Sequence, residues 1–76
     1  MEGFSMIEME YVSSSNVEQI GYDENTSELH VRFLTSPQLY VYLNVPRQVY
    51  DDLRMASSKG TFLHAQVYKN YSVEKR

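Results

Sequence analysis

Apolar and polar residues alternate most regularly at positions 28–34, ELHVRFL. Leu29, Val31 and Phe33 fall on one side, His30 and Arg32 on the other, the period-two pattern of a half-buried strand. LYVYL at 39–43 is a second β-rich run, ending near Asn44. Two shorter strands are predicted upstream, one from Glu8 to Val12 and one from Val17 to Tyr22. Gly21 in the latter marks a bulge or a close backbone approach. Between the runs lie SSSN (13–16), DENTS (23–27) and TSPQ (35–38), whose side chains compete for backbone hydrogen bonds and so favour turns. Four short strands joined in sequence by turns predict an antiparallel meander.

The period then changes. Pro46 fits the first position of a helix, where its missing N–H costs nothing. In PRQVYDDLRMA the residues Val49, Leu53 and Ala56 recur at i, i+4, i+7 with Tyr50 beside them, one narrow apolar stripe. SSKG interrupts this helix, and Ser57 or Ser58 can cap a second one running to about Tyr71. There Leu63, Val67 and Tyr71 recur every four residues, with Tyr68 at the margin beside Phe62 or Leu63. Strands followed by helices predict an α+β fold: a small meander of about four strands with two short helices packed on one face. Residues 1–8 read as an N-terminal extension, 9–71 as a single domain, and 72–76, SVEKR, as a frayed tail.

Which way the tyrosines of the YVY run point depends on the parity of the preceding loop. An even loop pairs Leu34 with Leu39, so Phe33 faces Tyr40 and Val31 faces Tyr42. Tyr40 and Tyr42 then join the core, and the reverse face carries Arg32, Leu34, Leu39, Val41 and Leu43. An odd loop flips the match and leaves Tyr40 and Tyr42 beside His30 and Arg32 on an open stacking surface.

Seventy-six residues make one domain at most. A chain this short buries only about 60% of its unfolded surface. With no cysteine there is no disulfide framework, which fits a reducing compartment. No apolar run approaches the roughly 18 residues of a membrane span, and MEGFSMIEME lacks the basic start and apolar core of a signal peptide. A cytoplasmic protein without membrane contact is expected. The net charge of −3 argues against a strong non-specific grip on phosphate. Its distribution is uneven: residues 1–58 carry three arginines against nine acids, whereas residues 59–76 carry four basic residues against Glu74 alone.

That basic end directs attention to Ser58-Lys59-Gly60 at the predicted helix start. Free N–H groups and the helix dipole favour an anion there, with a lysine and a glycine to admit it. His64, one turn on, shares the face of Gly60, and Lys69 adds charge along the same helix. The competing reading is an ordinary serine cap. His30 and His64 lie in different elements without a ligand-spaced partner, so no metal site is expected. Ser57, Ser58 and Lys59 diverge as sequence neighbours, and Asp51-Asp52 reads as a solvated face; neither makes a catalytic pair. No enzyme activity and no cofactor are expected.

Taken together, SSSNVEQIGYD, LHVRF, the YVY of Tyr40 to Tyr42, VP at 45–46, VYDDL and SKGTFLHAQV followed by Tyr71 resemble the KTSC domain. That family occurs at the C-terminus of some lysyl-tRNA synthetases and as short bacterial and phage proteins. The resemblance runs from about Met9 to Tyr71. Family members commonly place a polar residue between the two tyrosines and apolar ones at the positions of Leu29, Val31 and Phe33, which supports the even loop. TSPQ stands where glycine is usual, and Leu63-His64 replaces the usual Phe-Asn. The family's role is unassigned, and its association with synthetases suggests RNA binding; the charge split and the anion-ready cap lead to the expectation of a non-catalytic module that recognises RNA or another phosphate-bearing ligand at the Ser58–Gly60 helix start. The rival expectation is a protein partner or homodimer, held through the apolar face of Leu34, Leu39, Val41 and Leu43.

Overall fold

The computed structural model describes residues 7–76. Five strands form one antiparallel sheet in sequence order: β1 (Glu10–Tyr11), β2 (Val17–Asp23), β3 (Glu28–Phe33), β4 (Leu39–Tyr42) and β5 (Val73–Lys75). Helix α1 (Arg47–Met55) and the single turn α2 (Lys59–Phe62) lie between β4 and β5, and a wider π-helical turn (Leu63–Val67) follows α2 directly. The α+β meander with short helices stands as expected, with one strand more.

β3 and β4 pair Val31 with Tyr40 and Leu29 with Tyr42. This differs from the Leu34–Leu39 pairing by two residues, because the turn takes up more chain than TSPQ alone. Arg32 donates to the Pro37 carbonyl at 2.8 Å, and the Gln38 N–H donates to Ser36 Oγ at 3.2 Å, which holds the wide turn. A shift of two preserves parity, so each side chain keeps the face given by the even loop. Leu29, Val31, Tyr40 and Tyr42 therefore share the inner face.

β2 reaches the same face by a different device. Val17 pairs with Phe33 while Gln19 pairs with Arg32, so the chain bulges at Glu18. The extra residue lets Val17 and Ile20, three apart, both turn inward and become fully buried. Tyr50 and Leu53 of α1, Leu63 and Val67 of the π turn, and Val45 close over this surface and complete the core. Asn44 leaves β4 in the left-handed region, φ 56°, a conformation asparagine tolerates better than most residues. Pro46 stands just outside α1, as its cap, with Arg47 the first helical residue.

Residues 73–75 correct the reading of SVEKR as a frayed tail. Val73, Glu74 and Lys75 pair with Tyr42, Val41 and Tyr40. Strand β4 otherwise has an open edge, and a short alternating V-E-K segment is sufficient to cover it. Arg76 lies next in line and bonds Glu74 at 2.7 Å and Glu28 at 3.1 Å, bridging β5 to β3 across β4. His30 meets the other oxygen of Glu28 at 3.3 Å. The outer-face residue between these groups is Val41, cross-strand neighbour of both His30 and Glu74. It is fully buried although it lies outside the main core.

Further along the same row, Gly21 pairs with His30. A Cβ on Gly21 would stand 2.6 Å from Met9 Sδ and 2.9 Å from the Glu8 carbonyl oxygen. The glycine thus marks a close approach, by the segment leading into β1, rather than the bulge itself.

Three outcomes follow from the outer face. Truncation after Ser72 should cost about 2 kcal/mol, the scale of re-exposing a buried valine, read from urea unfolding. Gly21→Ala should destabilise by roughly 1–2 kcal/mol, since the Glu8 carbonyl must move and the flexible Met9 thioether cannot absorb the whole clash. Burial raises the affinity of Glu28 for a proton, but hydrogen bonds with Arg76, His30 and Thr26 and the charge of Arg76 together outweigh it, so its pKa lies below the usual carboxylate value. The resulting stabilisation is complete above about pH 4.5 and is lost as pH falls through the lower folded-state value. Stability curves of wild type and Glu28→Gln should therefore converge once pH has fallen through the lowered folded-state value, which pH-dependent unfolding would check.

Candidate functional site

The predicted anion corner is in part engaged by the chain's own groups, beside a polar groove of about 330 Å³ lined by Ser13, Ser14, Ser15, Ser57, Ser58 and Lys59. Ser58 caps α2, accepting from the Thr61 N–H at 3.3 Å and donating to Thr61 Oγ1 at 2.9 Å. The Lys59 ammonium turns away and donates to the Arg54 carbonyl at 3.0 Å and to the Ala56 carbonyl. Those carbonyls end α1 without helical partners of their own, so the lysine is a natural C-terminal cap. Gly60 packs against Asn16, 3.5 Å from where its Cβ would lie. Lys69 is exposed in the turn beyond. Ser58, Lys59 and Gly60 thus join α1 to α2, with the Lys59 ammonium drawn back onto the end of α1.

The outer sheet face is likewise unlike the apolar surface expected of it. Val41 is covered, Leu39 and Leu43 are half-buried, and Arg32 is folded onto the Pro37 carbonyl. Leu34 alone of this set is mostly open, at 53% exposure. The larger groove, about 550 Å³, runs between β1 and the end of α1. Its Arg54 is paired with Glu10 at 2.9 Å and its Lys59 with carbonyls, so its cations are already engaged.

The structure instead assembles a cleft from the tyrosine motif. Tyr40 and Tyr42 stand two apart on β4 and point to the same side, as strand geometry requires. Phe33 at the end of β3 meets Tyr40 edge to face, with centroids 5.4 Å apart and planes at 83°. Tyr68 stacks on Tyr42 at 6.0 Å and 20°. The wide turn at 63–67 is what delivers it: the Tyr68 N–H bonds the Leu63 carbonyl, five residues back, instead of four. That extra residue per turn brings Tyr68 round toward the Leu63 face and over the sheet. Thr35 and Ser36 of the turn and Val73 of β5 complete the lining of a cleft of about 340 Å³. Lys75 places its ammonium 5.7 Å from the Tyr40 centroid, within cation–π range, and His64 abuts Tyr68 edge-on at 5.9 Å. Of the residues singled out from sequence, Tyr40, Tyr42 and His64 are brought together here. Tyr68, Phe33, Val73 and Lys75 were not foreseen as site residues; the V-E-K alternation was the available signal for the last two.

Tyr42 answers the parity question from both sides. It is core, at 4% exposure, yet it forms one end of the cleft. Burial, followed by the proximity of the Tyr68 and Tyr40 phenols, raises its pKa well above the ordinary phenol value, and no hydrogen bond contributes. Among the described residues none bonds its hydroxyl. The Tyr68 phenol is raised in the same way, by burial and then by Tyr40. A second aromatic pair makes the contrast. Tyr22 and Tyr50 stack at 5.4 Å between β2 and α1, with Arg47 and Arg54 over the Tyr50 ring at 5.8 and 5.7 Å. There both hydroxyls are engaged, Tyr22 with the Val45 carbonyl and Tyr50 with Glu10 at 3.0 Å. Burial, then the bond to Glu10 and its charge, push Tyr50 up to about 12. That pair is a brace; among the described residues no hydrogen bond engages the hydroxyls of Tyr40, Tyr42 or Tyr68.

Among the described residues no group of three or more potential ligands could hold a metal ion, and no helix is long and apolar enough to cross a membrane.

Comparison with known proteins places this arrangement. A protein of Tsukamurella paurometabola is 42% identical over 59 residues, which is 78% of this chain and 87% of the relative. The crystal structure of a KTSC domain protein from Yersinia pestis superposes with a TM-score of 0.88 at 30% identity, covering 93% of this chain and 99% of that one. The sequence profile of the KTSC domain matches residues 13–71, a span that contains all of the cleft except Val73 and Lys75. This chain belongs to the KTSC domain family.

Proposed function

We propose that the protein is a non-catalytic binding module that receives a base of single-stranded RNA, or of a nucleotide, in the tyrosine cleft. The observation that carries this reading is the cleft itself, where aromatic rings from β3, β4 and the π turn surround a cavity beside a lysine. A volume of about 340 Å³ lies at the small end of ligand pockets and suits a single ring system with its sugar left outside. Stacking on aromatic side chains is worth about 1–3 kcal/mol per base, and a π face is common to all bases. The ligand's phosphates meet Lys75 and solvent. With an overall charge of −3, binding draws on stacking more than on backbone neutralisation. The non-catalytic part of the reading is supported by Lys59, which is bound to main-chain carbonyls and so is not placed to activate Ser57 or Ser58.

Titration of isotope-labelled protein with short single-stranded RNA at low salt should shift Tyr40, Tyr42, Tyr68 and Lys75, leaving Ser58–Gly60 still. Tyr68→Ala should weaken binding by roughly tenfold or more, with a shallow salt dependence. No cleft shift at millimolar RNA would refute the reading, and concentration-dependent sedimentation would then favour a protein partner.

A further inference from the structure

The cleft is unequal in its polar groups, and the inequality specifies a ligand edge. This inference rests on the base-binding reading and names which bases the site takes. Tyr40 and Tyr68 are partly open, so water can satisfy their hydroxyls. Tyr42 is sealed to 4% exposure, and among the described residues nothing accepts its proton. A buried donor without an acceptor is costly, and the cost is recovered by whatever ligand atom accepts from it. An apolar or amino-bearing guest leaves that proton unpaired; a carbonyl oxygen does not.

Geometry determines which carbonyl. A base that stacks on the cleft's rings with its sugar and phosphate outside turns the edge farthest from the glycosidic bond toward the least exposed lining residue. In uracil that edge presents the O4 carbonyl and in guanine O6, both acceptors; in cytosine it presents the N4 amino group and in adenine N6, both donors. Tyr42 is the least exposed of the three tyrosines lining the cleft, and the Tyr40 and Tyr68 phenols are its neighbours there. We infer that the Tyr42 hydroxyl selects keto bases over amino bases by donating to the carbonyl on the sugar-distal edge. Its raised proton affinity keeps the donor intact across the physiological range.

Uracil and cytosine have the same ring size, so they isolate this edge from stacking. Hexauridylate and hexacytidylate are titrated into wild type and Tyr42→Phe, following cleft resonances. Wild type should favour hexauridylate by roughly tenfold, the scale of one hydrogen bond denied to a buried group. Tyr42→Phe keeps the ring and the stack on Tyr68, and should bind both oligomers within about twofold of each other. Its thermal midpoint serves as the folding control and is expected to be unchanged or higher, since an unpaired buried hydroxyl is removed. A wild type without preference overturns the inference, as does a Tyr42→Phe variant that retains it; in both cases binding itself persists. Absence of cleft shifts with either oligomer instead defeats the base-binding reading and this inference with it.

Discussion

The pairing of β3 with β4 is the constraint on which the rest of the molecule depends. With Val31 opposite Tyr40 and Leu29 opposite Tyr42, four apolar or aromatic residues stand on one face for the helices to cover. A slip of one residue would send both tyrosines outward and bring His30, Arg32 or Val41 into register with the core. The helical stripe of Tyr50 and Leu53 would lose its complementary surface. Tyr68 would have no ring beneath it, and the cleft would not exist.

The two faces of the sheet are closed by different physics. The inner face is covered by apolar side chains from α1, the π turn and Val45. The outer face is covered by a charged strap, Glu74–Arg76–Glu28–His30, lying across β4 over Val41. Exposed ion pairs contribute little individually. Here their effect is indirect: they hold long side chains over a valine and keep water from it. The same strap makes the outer face polar, so this thin sheet does not present an open apolar plane to a second copy.

The tyrosines divide into a structural and a receptive set, and hydroxyl partners make the division. Tyr22 and Tyr50 are stacked, flanked by arginines and hydrogen-bonded at both ends, so they tie α1 to the sheet. Tyr42 is as buried as Tyr50 and lines the cleft, and among the described residues no group bonds its hydroxyl. Buried polar groups are nearly always paired, and on that rule rests the proposal that a ligand atom accepts from Tyr42. The Y-x-Y spacing supplies Tyr40 and Tyr42 as alternate residues of one strand; what surrounds them gives each its use.

Much of this was legible along the chain. Period two in ELHVRF, the turn clusters between strands, Pro46 and the four-residue recurrence of Leu63 and Val67 are local signals, and each produced the element it indicates. The direction of Tyr40 and Tyr42 was open between an even and an odd loop; the family resemblance favoured the even one, and the observed register keeps that parity although it is shifted by two. Four features were not legible. Lys59 was read as a docking group because a lysine at a helix start resembles one; only the end of α1, folded beside it, offered carbonyls to bind. SVEKR was read as a tail because three alternating residues are too few to form a strand alone, and they became one against the free edge of β4. The π turn that carries Tyr68 to Tyr42 has no local pattern, since an added residue per turn is tolerated only where packing rewards it. Nor does any spacing tell a paired hydroxyl from an unpaired one. The sequence by itself determined which residues share a face, because side-chain direction in a strand or helix is a matter of backbone period. Tertiary structure decided which polar groups are already satisfied, because that depends on neighbours distant along the chain, and it is this that separates a brace from a site.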